Sequence, residues 1–353
     1  MRLIDAYLAA LVWKTTLLVL FVIVGIDALS AFIDEAGSRS ARWGFEQIGE
    51  YVLLTLPSRC YEYIPFAALV GSMIGLGQLA STGELVALRA AGLSKSRLIR
   101  TVLVQAILLA AIGFAVGEYV APLTEQRAQS LRSVALYNNR QSNAEYGIWQ
   151  RDGRSFMHVG ALTADRDIFG VSIYQLNGDG VIEQIISAEY GVFEDGGWRL
   201  SDIETTFFAE DEIRTAVTES EYLSSNVTPQ ILTLENVEPE QLALNDLMGY
   251  SRFLRAQGDD AAEFELATWK KVLQPLAVAA LVFVSVSFVF GPLRDGTLGF
   301  RLFAGVMLGV LFRLAQDLLG PASLVFGFPP VYAAAIPIAL LFVLGSLLLF
   351  RSN

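Results

Sequence analysis

The chain has 353 residues, 54% of them hydrophobic and 17% charged, against roughly 25% charged in an average soluble domain. That excludes an ordinary soluble domain and a disordered chain. The net charge of −11 is uneven: residues 121–267 hold 25 acidic and 10 basic side chains, the remainder 11 and 15. No concentrated basic domain of the kind that binds nucleic acid is present. A single cysteine, Cys60, excludes an intramolecular disulfide, and a single histidine, His158, excludes a multi-histidine metal site.

Six apolar runs are long enough to cross a bilayer, which takes about 20 residues. They are Leu11–Ile33, Ile64–Ala80 (with a start near Val52), Leu98–Val120, Val272–Phe290, Leu298–Leu319 and Val331–Phe350. The first carries Lys14 and Asp27 and lacks a small-residue cleavage site, so it reads as a retained helix rather than a signal peptide. Pro57 and Pro65 predict a break or kink in the second. Arg2, Lys14, Arg89, Lys95, Arg97, Arg100, Arg294, Arg301 and Arg351 all flank one side. The positive-inside rule therefore predicts both termini inside and residues 121–267 outside, with Lys270 and Lys271 on the wrong side of that count.

The inner loop after the second run reads Ser81-Thr82-Gly83-Glu84-Leu85-Val86-Ala87-Leu88-Arg89-Ala90-Ala91-Gly92. Ser81 and Glu84 fit a capping box, Gly92 a helix terminator, and Ser94 the cap of the next helix. The spacing predicts a short amphipathic helix over about 82–91. Leu85, Val86 and Leu88 are either available to a partner or anchored at the lipid interface.

Residues 121–267 carry the signals of an all-β, jelly-roll-like domain. Strands are predicted at Tyr146–Arg151, Ser155–Gly160, Gly170–Leu176, Val181–Ala188 and Trp198–Ala209, separated by turns such as Glu194-Asp195-Gly196-Gly197. Two short helices are predicted at Ala243–Ala256 and Ala261–Lys270. The chain is thus a polytopic α-helical membrane protein with six transmembrane helices and an outer β domain inserted between helices three and four. The expected domains are 1–120, 121–267 and 268–353.

Catalytic machinery is sparse. The sequence has no Gly-Lys phosphate loop and no G-x-S-x-G elbow, and His158 lies in the β segment, away from any membrane-depth serine. Charged groups inside apolar helices cost roughly 2.5–3.5 kcal/mol each on insertion scales, so they face protein or water. Asp27 lies in the first helix, and Arg313 and Asp317 lie one turn apart in the fifth. Arg127 and Arg132 follow Glu118 and Pro122 where the third helix leaves the membrane. A basic ring at the outer mouth of a cavity suits a phosphorylated amphiphile; interfacial snorkelling is the rival explanation. Gly71/Gly75, Gly113/Gly117 and Gly305/Gly309 are small-xxx-small pairs that permit close helix packing.

The order and spacing of several motifs resemble one family. They are Phe32-Ile33-Asp34, Gly83-Glu84-Leu85-Val86, Gly117-Glu118-Tyr119-Val120-Ala121-Pro122 with Glu125-Gln126, and Gly147-Ile148-Trp149 with Asp152-Gly153. Gln274-Pro275-Leu276, Phe290-Gly291-Pro292-Leu293-Arg294, and Gly320-Pro321 to Phe328-Pro329-Pro330 complete them. Over its full length the chain resembles the LptF/LptG lipopolysaccharide export permeases, the LptG branch in particular. The resemblance implies six membrane helices, a jelly-roll domain, and a heterodimer with an LptF-like paralogue around a lipopolysaccharide cavity. It implies a cytoplasmic LptB-like ATPase dimer and an LptC-like single-helix partner beside the first helix, in the bacterial inner membrane. It implies no cofactor, metal or catalytic residue in this chain, with ATP bound by the partners. By the same resemblance Glu84, with Leu85, Leu88 and Arg89, faces the ATPase, and Arg132 lies near the lipid's phosphates. Ala31 and Gln129 stand where relatives carry basic residues, which turns attention to Arg127, Arg313 and Asp27. An intramembrane enzyme and a membrane scaffold or sensor are the alternatives.

Overall fold

The structure is a computed structural model that describes residues 2–37, 43–137, 147–163, 165–208, 212–235, 237–290 and 297–351. The chain divides into two compact units. Unit one comprises Met1–Leu29, Leu56–Ala121 and Ala243–Asn353; unit two comprises Ser30–Thr55 and Pro122–Leu242.

Among the described residues six helices are long and apolar enough to span a membrane. They are α1 (Arg2–Gly37), α2 (Phe45–Ser81), α4 (Lys95–Ala115) continued by a π-turn (Val116–Val120) and α5 (Ala121–Tyr137), α8 (Ala262–Phe290), α9 (Leu298–Phe326) and α10 (Pro330–Arg351). Between them lie α3 (Glu84–Ala90), α6 (Pro229–Glu235) and α7 (Leu244–Gln257). The apolar runs were legible, but the helices outrun them. The third continues through Pro122 to Tyr137, and the expected helix at 261–270 is the first part of α8.

Within unit one, α2 and α8 are the most enclosed spans, whereas α1 and α9 expose most of their surface. Leu69, Met73, Leu76, Leu98, Val102, Leu281 and Val284 form the centre. Ser72 Oγ donates to Ser285 Oγ at 2.8 Å, a buried polar bond joining α2 to α8. The glycine pairs act inside the chain. A Cβ on Gly71 would lie 2.4 Å from Thr16 Cα, one on Gly113 2.6 Å from Ile64, and one on Gly309 2.5 Å from the Phe66 ring. These helices touch because the side chains are missing. α2 stays helical through both prolines. Pro65 cannot donate to the Tyr61 carbonyl one turn earlier, and Gln274 Nε2 supplies that bond instead at 3.0 Å.

In unit two, six antiparallel strands form one sheet in sequential order: β1 (Ile148–Asp152), β2 (Ser155–Leu162), β3 (Ile168–Leu176), β4 (Ile182–Glu194), β5 (Gly197–Phe208) and β6 (Ile213–Ser224). Neighbours are joined by hairpins alone, without a crossover among the described residues. At the β4–β5 turn Asp195 (φ 51°) and Gly196 (φ 83°) both take positive φ, as a type I′ turn requires. Met157, Val171, Ile173, Ile186, Trp198 and Leu200 line the buried face. Residues 225–227 then return to β1. Asp152 accepts from Ser225 Oγ at 2.7 Å and Asn226 N at 3.0 Å, and the Trp198 indole donates to the Val227 carbonyl at 2.7 Å. Val227 and Leu232 close that core.

Candidate functional site

At one end of unit one, α3 lies beside the starts of α1 and α4. Gly83 caps it with φ 76°, its carbonyl accepting from Val86 and Ala87 N, both at 3.1 Å. The expected capping box is not formed. Ser81 Oγ donates to the Gln78 carbonyl, and the left-handed Gly83 provides the chain reversal. The Glu84 carboxylate instead accepts from Tyr7 Oη at 2.9 Å and Thr82 Oγ1 at 3.1 Å. Leu85 is 6% exposed and Leu88 half-buried, both packed on the bundle core. They are therefore the anchor rather than surfaces open to a partner; Glu84, Val86 and Arg89 are exposed. Gly92 ends the helix and Ser94 Oγ caps α4, accepting from Arg97 N at 3.3 Å. Arg97 grips Asp5 with two nitrogens, at 3.3 and 2.7 Å, fixing the first turn of α1 to that of α4.

A second polar cluster gathers on one turn of α2. Arg59, Glu62 and Tyr63 sit at helical spacing on one face. Arg59 pairs with Asp27, which also accepts from Tyr63 Oη at 2.9 Å. Arg313 donates to Glu62 at 2.6 Å and to Asp317 at 3.0 Å. Arg59, Glu62 and Tyr63 are not among the sequence candidates, although they fall inside a second run that starts near Val52; their i, i+3, i+4 spacing is the available signal. The cluster holds two arginines against three carboxylates, so it carries a net negative charge of one rather than forming the basic ring expected. Arg301, counted above as an inner flank, is 2% exposed and donates to the Gly77 carbonyl at 2.5 Å.

In unit two, Arg132 on α5 donates to Glu35 Oε1 at 3.0 Å, and the buried Trp43 indole donates to Glu35 Oε2 at 3.2 Å. Arg127, on the same helix, is exposed. Glu125 is almost wholly buried and accepts from Gln129 at 3.0 Å.

The third cluster sits where α4 gives way to the π-turn. Lys271 is 3% exposed, with Nζ 2.7 Å from the Gly117 carbonyl and 3.2 Å from Glu118 Oε2. Glu118 also accepts from Leu244 N at the start of α7. The lysine that broke the positive-inside count is thus not a loop charge. It is a buried partner, and its position against that count was the sequence signal. Among the described residues no group of three His, Cys, Asp or Glu is placed to hold a metal ion.

The family model for the lipopolysaccharide export system permease LptF/LptG matches residues 6–351. The chain is 32% identical to the lipopolysaccharide export system permease protein LptG of Escherichia coli strain K12, over 99% of this chain and 98% of that protein. It is 31% identical to the protein of the same name from Haemophilus influenzae strain KW20, over 99% of each. With six spans and an intervening antiparallel β unit in that order, the chain belongs to the lipopolysaccharide export system permease LptF/LptG family.

Proposed function

We propose that the chain is one permease subunit of an ABC-type complex that extracts lipopolysaccharide from the outer leaflet of the bacterial inner membrane. It hands the lipid to a periplasmic bridge and draws its energy from ATPase subunits in trans. The match over nearly the whole chain to permeases named for lipopolysaccharide export carries the proposal. An LptF-like paralogue completes the transport path, an LptB-like ATPase dimer docks on the cytoplasmic side, and an LptC-like single helix lies beside α1. Both termini are cytoplasmic and the β unit periplasmic, as the distribution of arginine and lysine favours.

In this proposal α3 is the coupling element. Buried Leu85 and half-buried Leu88 seat it on the bundle, so a push on its exposed face reaches α1 and α4 directly. Glu84 and Arg89 present charge to the ATPase. The lipid's phosphates compete for Arg313 in unit one and, separately, for Arg132 in unit two, each of which now pairs with carboxylates. Arg127 adds an exposed cation. Asp27 holds Arg59 as a reserve of the same kind. A guanidinium exchanges a carboxylate for a phosphate without losing its forked geometry.

Reconstitution of the co-expressed permease pair and ATPase in proteoliposomes tests this. The expected result is ATP-dependent release of lipopolysaccharide to a periplasmic acceptor. Glu84→Ala should weaken co-purification of the ATPase or uncouple hydrolysis from release, by the roughly 2–5 kcal/mol that follows loss of one partner in a desolvated charged contact. ATP hydrolysis without lipid release by the parent complex would overturn the export proposal. Parent-like behaviour of both Glu84→Ala and Glu84→Gln would remove Glu84 from the coupling surface.

A further inference from the structure

The Lys271 cluster has no part in docking or phosphate exchange as described above, yet it is a buried ion pair in unit one, with Lys271 only 3% exposed. A buried charge is costly unless it is paired and hydrogen-bonded. Here three elements meet on two side chains. Lys271, on α8, takes the Gly117 carbonyl and the Glu118 carboxylate. Glu118, on the π-turn, takes the Leu244 N–H at 3.0 and 3.1 Å, one of the donors that a helix start leaves unsatisfied. The Tyr61 ring lies 5.8 Å from the Lys271 ammonium. It also fills the space where a side chain on Gly117 would stand, 2.4 Å from the position of its Cβ.

The π-turn and the lysine depend on each other. In α geometry the Ala121 N–H would bond to the Gly117 carbonyl, four residues back. In the structure it bonds to the Val116 carbonyl, five residues back. That register frees the Gly117 carbonyl, and Lys271 occupies it. Pro122 keeps that carbonyl free, since the next bond of the π register would run from the residue-122 N–H to Gly117, and proline has no N–H. Returning to α geometry would bring the Ala121 N–H onto the Gly117 carbonyl, in competition with Lys271.

The placement gives this a mechanical meaning. The chain leaves unit one after Ala121 and returns to it at Ala243. Glu118 and Leu244 sit just inside those two crossings, and one carboxylate joins them. We propose that Glu118 and Lys271 are positioning residues, a clasp that makes the two crossings one mechanical element whose π or α register sets how movement passes along the chain during export. They touch no lipid. The functional half of this rests on the export function proposed above.

The test uses the co-purified complex with Cys60→Ser and spin labels at Tyr119→Cys and Met248→Cys, both exposed positions in unit one. Distance distributions are read by pulsed electron resonance, and lipid released per ATP hydrolysed is read in proteoliposomes. The parent should give one narrow distance. Lys271→Met should broaden it and lower lipid released per ATP by at least about tenfold, the scale of losing one partner of a buried charged contact. Lys271→Arg, which keeps a donor and a charge, should recover much of both. The double exchange Glu118→Lys with Lys271→Glu should restore neither, because the new lysine cannot accept from Leu244 N–H and the new carboxylate cannot donate to the Gly117 carbonyl. A narrow distance in Lys271→Met would overturn the clasp. So would a broadened distance with parent-like lipid released per ATP, or full recovery in the double exchange. If the parent complex released no lipid while the distances responded as stated, the export function would fail and the clasp would stand.

Discussion

Gly71 shows how one missing side chain sets a helix contact. Its Cα faces the backbone of Thr16, so an added methyl has no flexible neighbour to displace. Gly71→Ala should destabilise the packing of α1 on α2 by about 1–3 kcal/mol. Gly25→Ala, where nothing lies within 4 Å, should be neutral or slightly favourable by helix propensity. Thermal unfolding of the two variants in one detergent checks the difference; equal behaviour would dismiss the close-approach account. Asp246, near the start of α7, offers a pH test. Burial, and then the Glu118 carboxylate, hold its carboxyl above the usual aspartate range, with Lys271 opposing them. The folded state therefore favours the protonated form. Its contribution to stability is complete below the ordinary aspartate value and is lost as pH rises through the raised one. Asp246→Asn cannot titrate, so its melting temperature should gain on the parent between acid and neutral pH. A difference that stays constant with pH would rule this out.

Among the elements, α3 divides most sharply into inner and outer faces. Leu85→Asp would place a charge in the buried apolar core of unit one. It should release α3 from the bundle, seen as rapid proteolysis near Arg89 with the six spans intact. Val86→Asp, on the exposed face, should leave proteolysis at the parent rate. Equal cleavage of both would contradict the burial of Leu85. The sequence made the existence of α3 plain, because a terminator glycine and the next cap bracket a short apolar stretch. Its start was not legible: a Ser-x-x-Glu pattern pointed to a side-chain cap, and a glycine in left-handed conformation was used instead. The sheet shows a similar division. Alternating apolar residues announce β1 to β5, whereas β6 is not predicted: eleven of its twelve residues are exposed, and no periodic apolar signal survives. The ends of the spans were missed for a related reason, since hydrophobicity marks the membrane but hydrogen bonding continues the helix past it.

Over the whole molecule, charge distribution gives a topology that labelling can check. With Cys60 replaced, a cysteine at Asp179, in the exposed β3–β4 turn, should react from the periplasm. One at Val86 should react from the cytoplasm. Labelling of both from one side would overturn the orientation. The candidate site was legible at this scale only in part. Lone charges such as Asp27 and Arg313 stand out against apolar helices, but their partners Arg59 and Glu62 come from another helix, and pairing between helices is not written in either sequence. Lys271 was visible only as an exception to a counting rule.

The order of the strands also bears on biogenesis. Every strand pairs with the one made just before it, so a nascent chain delivered from its N-terminus closes each hairpin as the second strand arrives, without waiting for distant segments. Only the last step reaches back. The Trp198 indole has its acceptor in Val227, and Asp152 has its donors in Ser225 and Asn226. A chain halted before residue 225 would hold all six strands yet leave an indole N–H and a carboxylate without these partners. Completion of the β unit is therefore timed by three residues beyond its final strand.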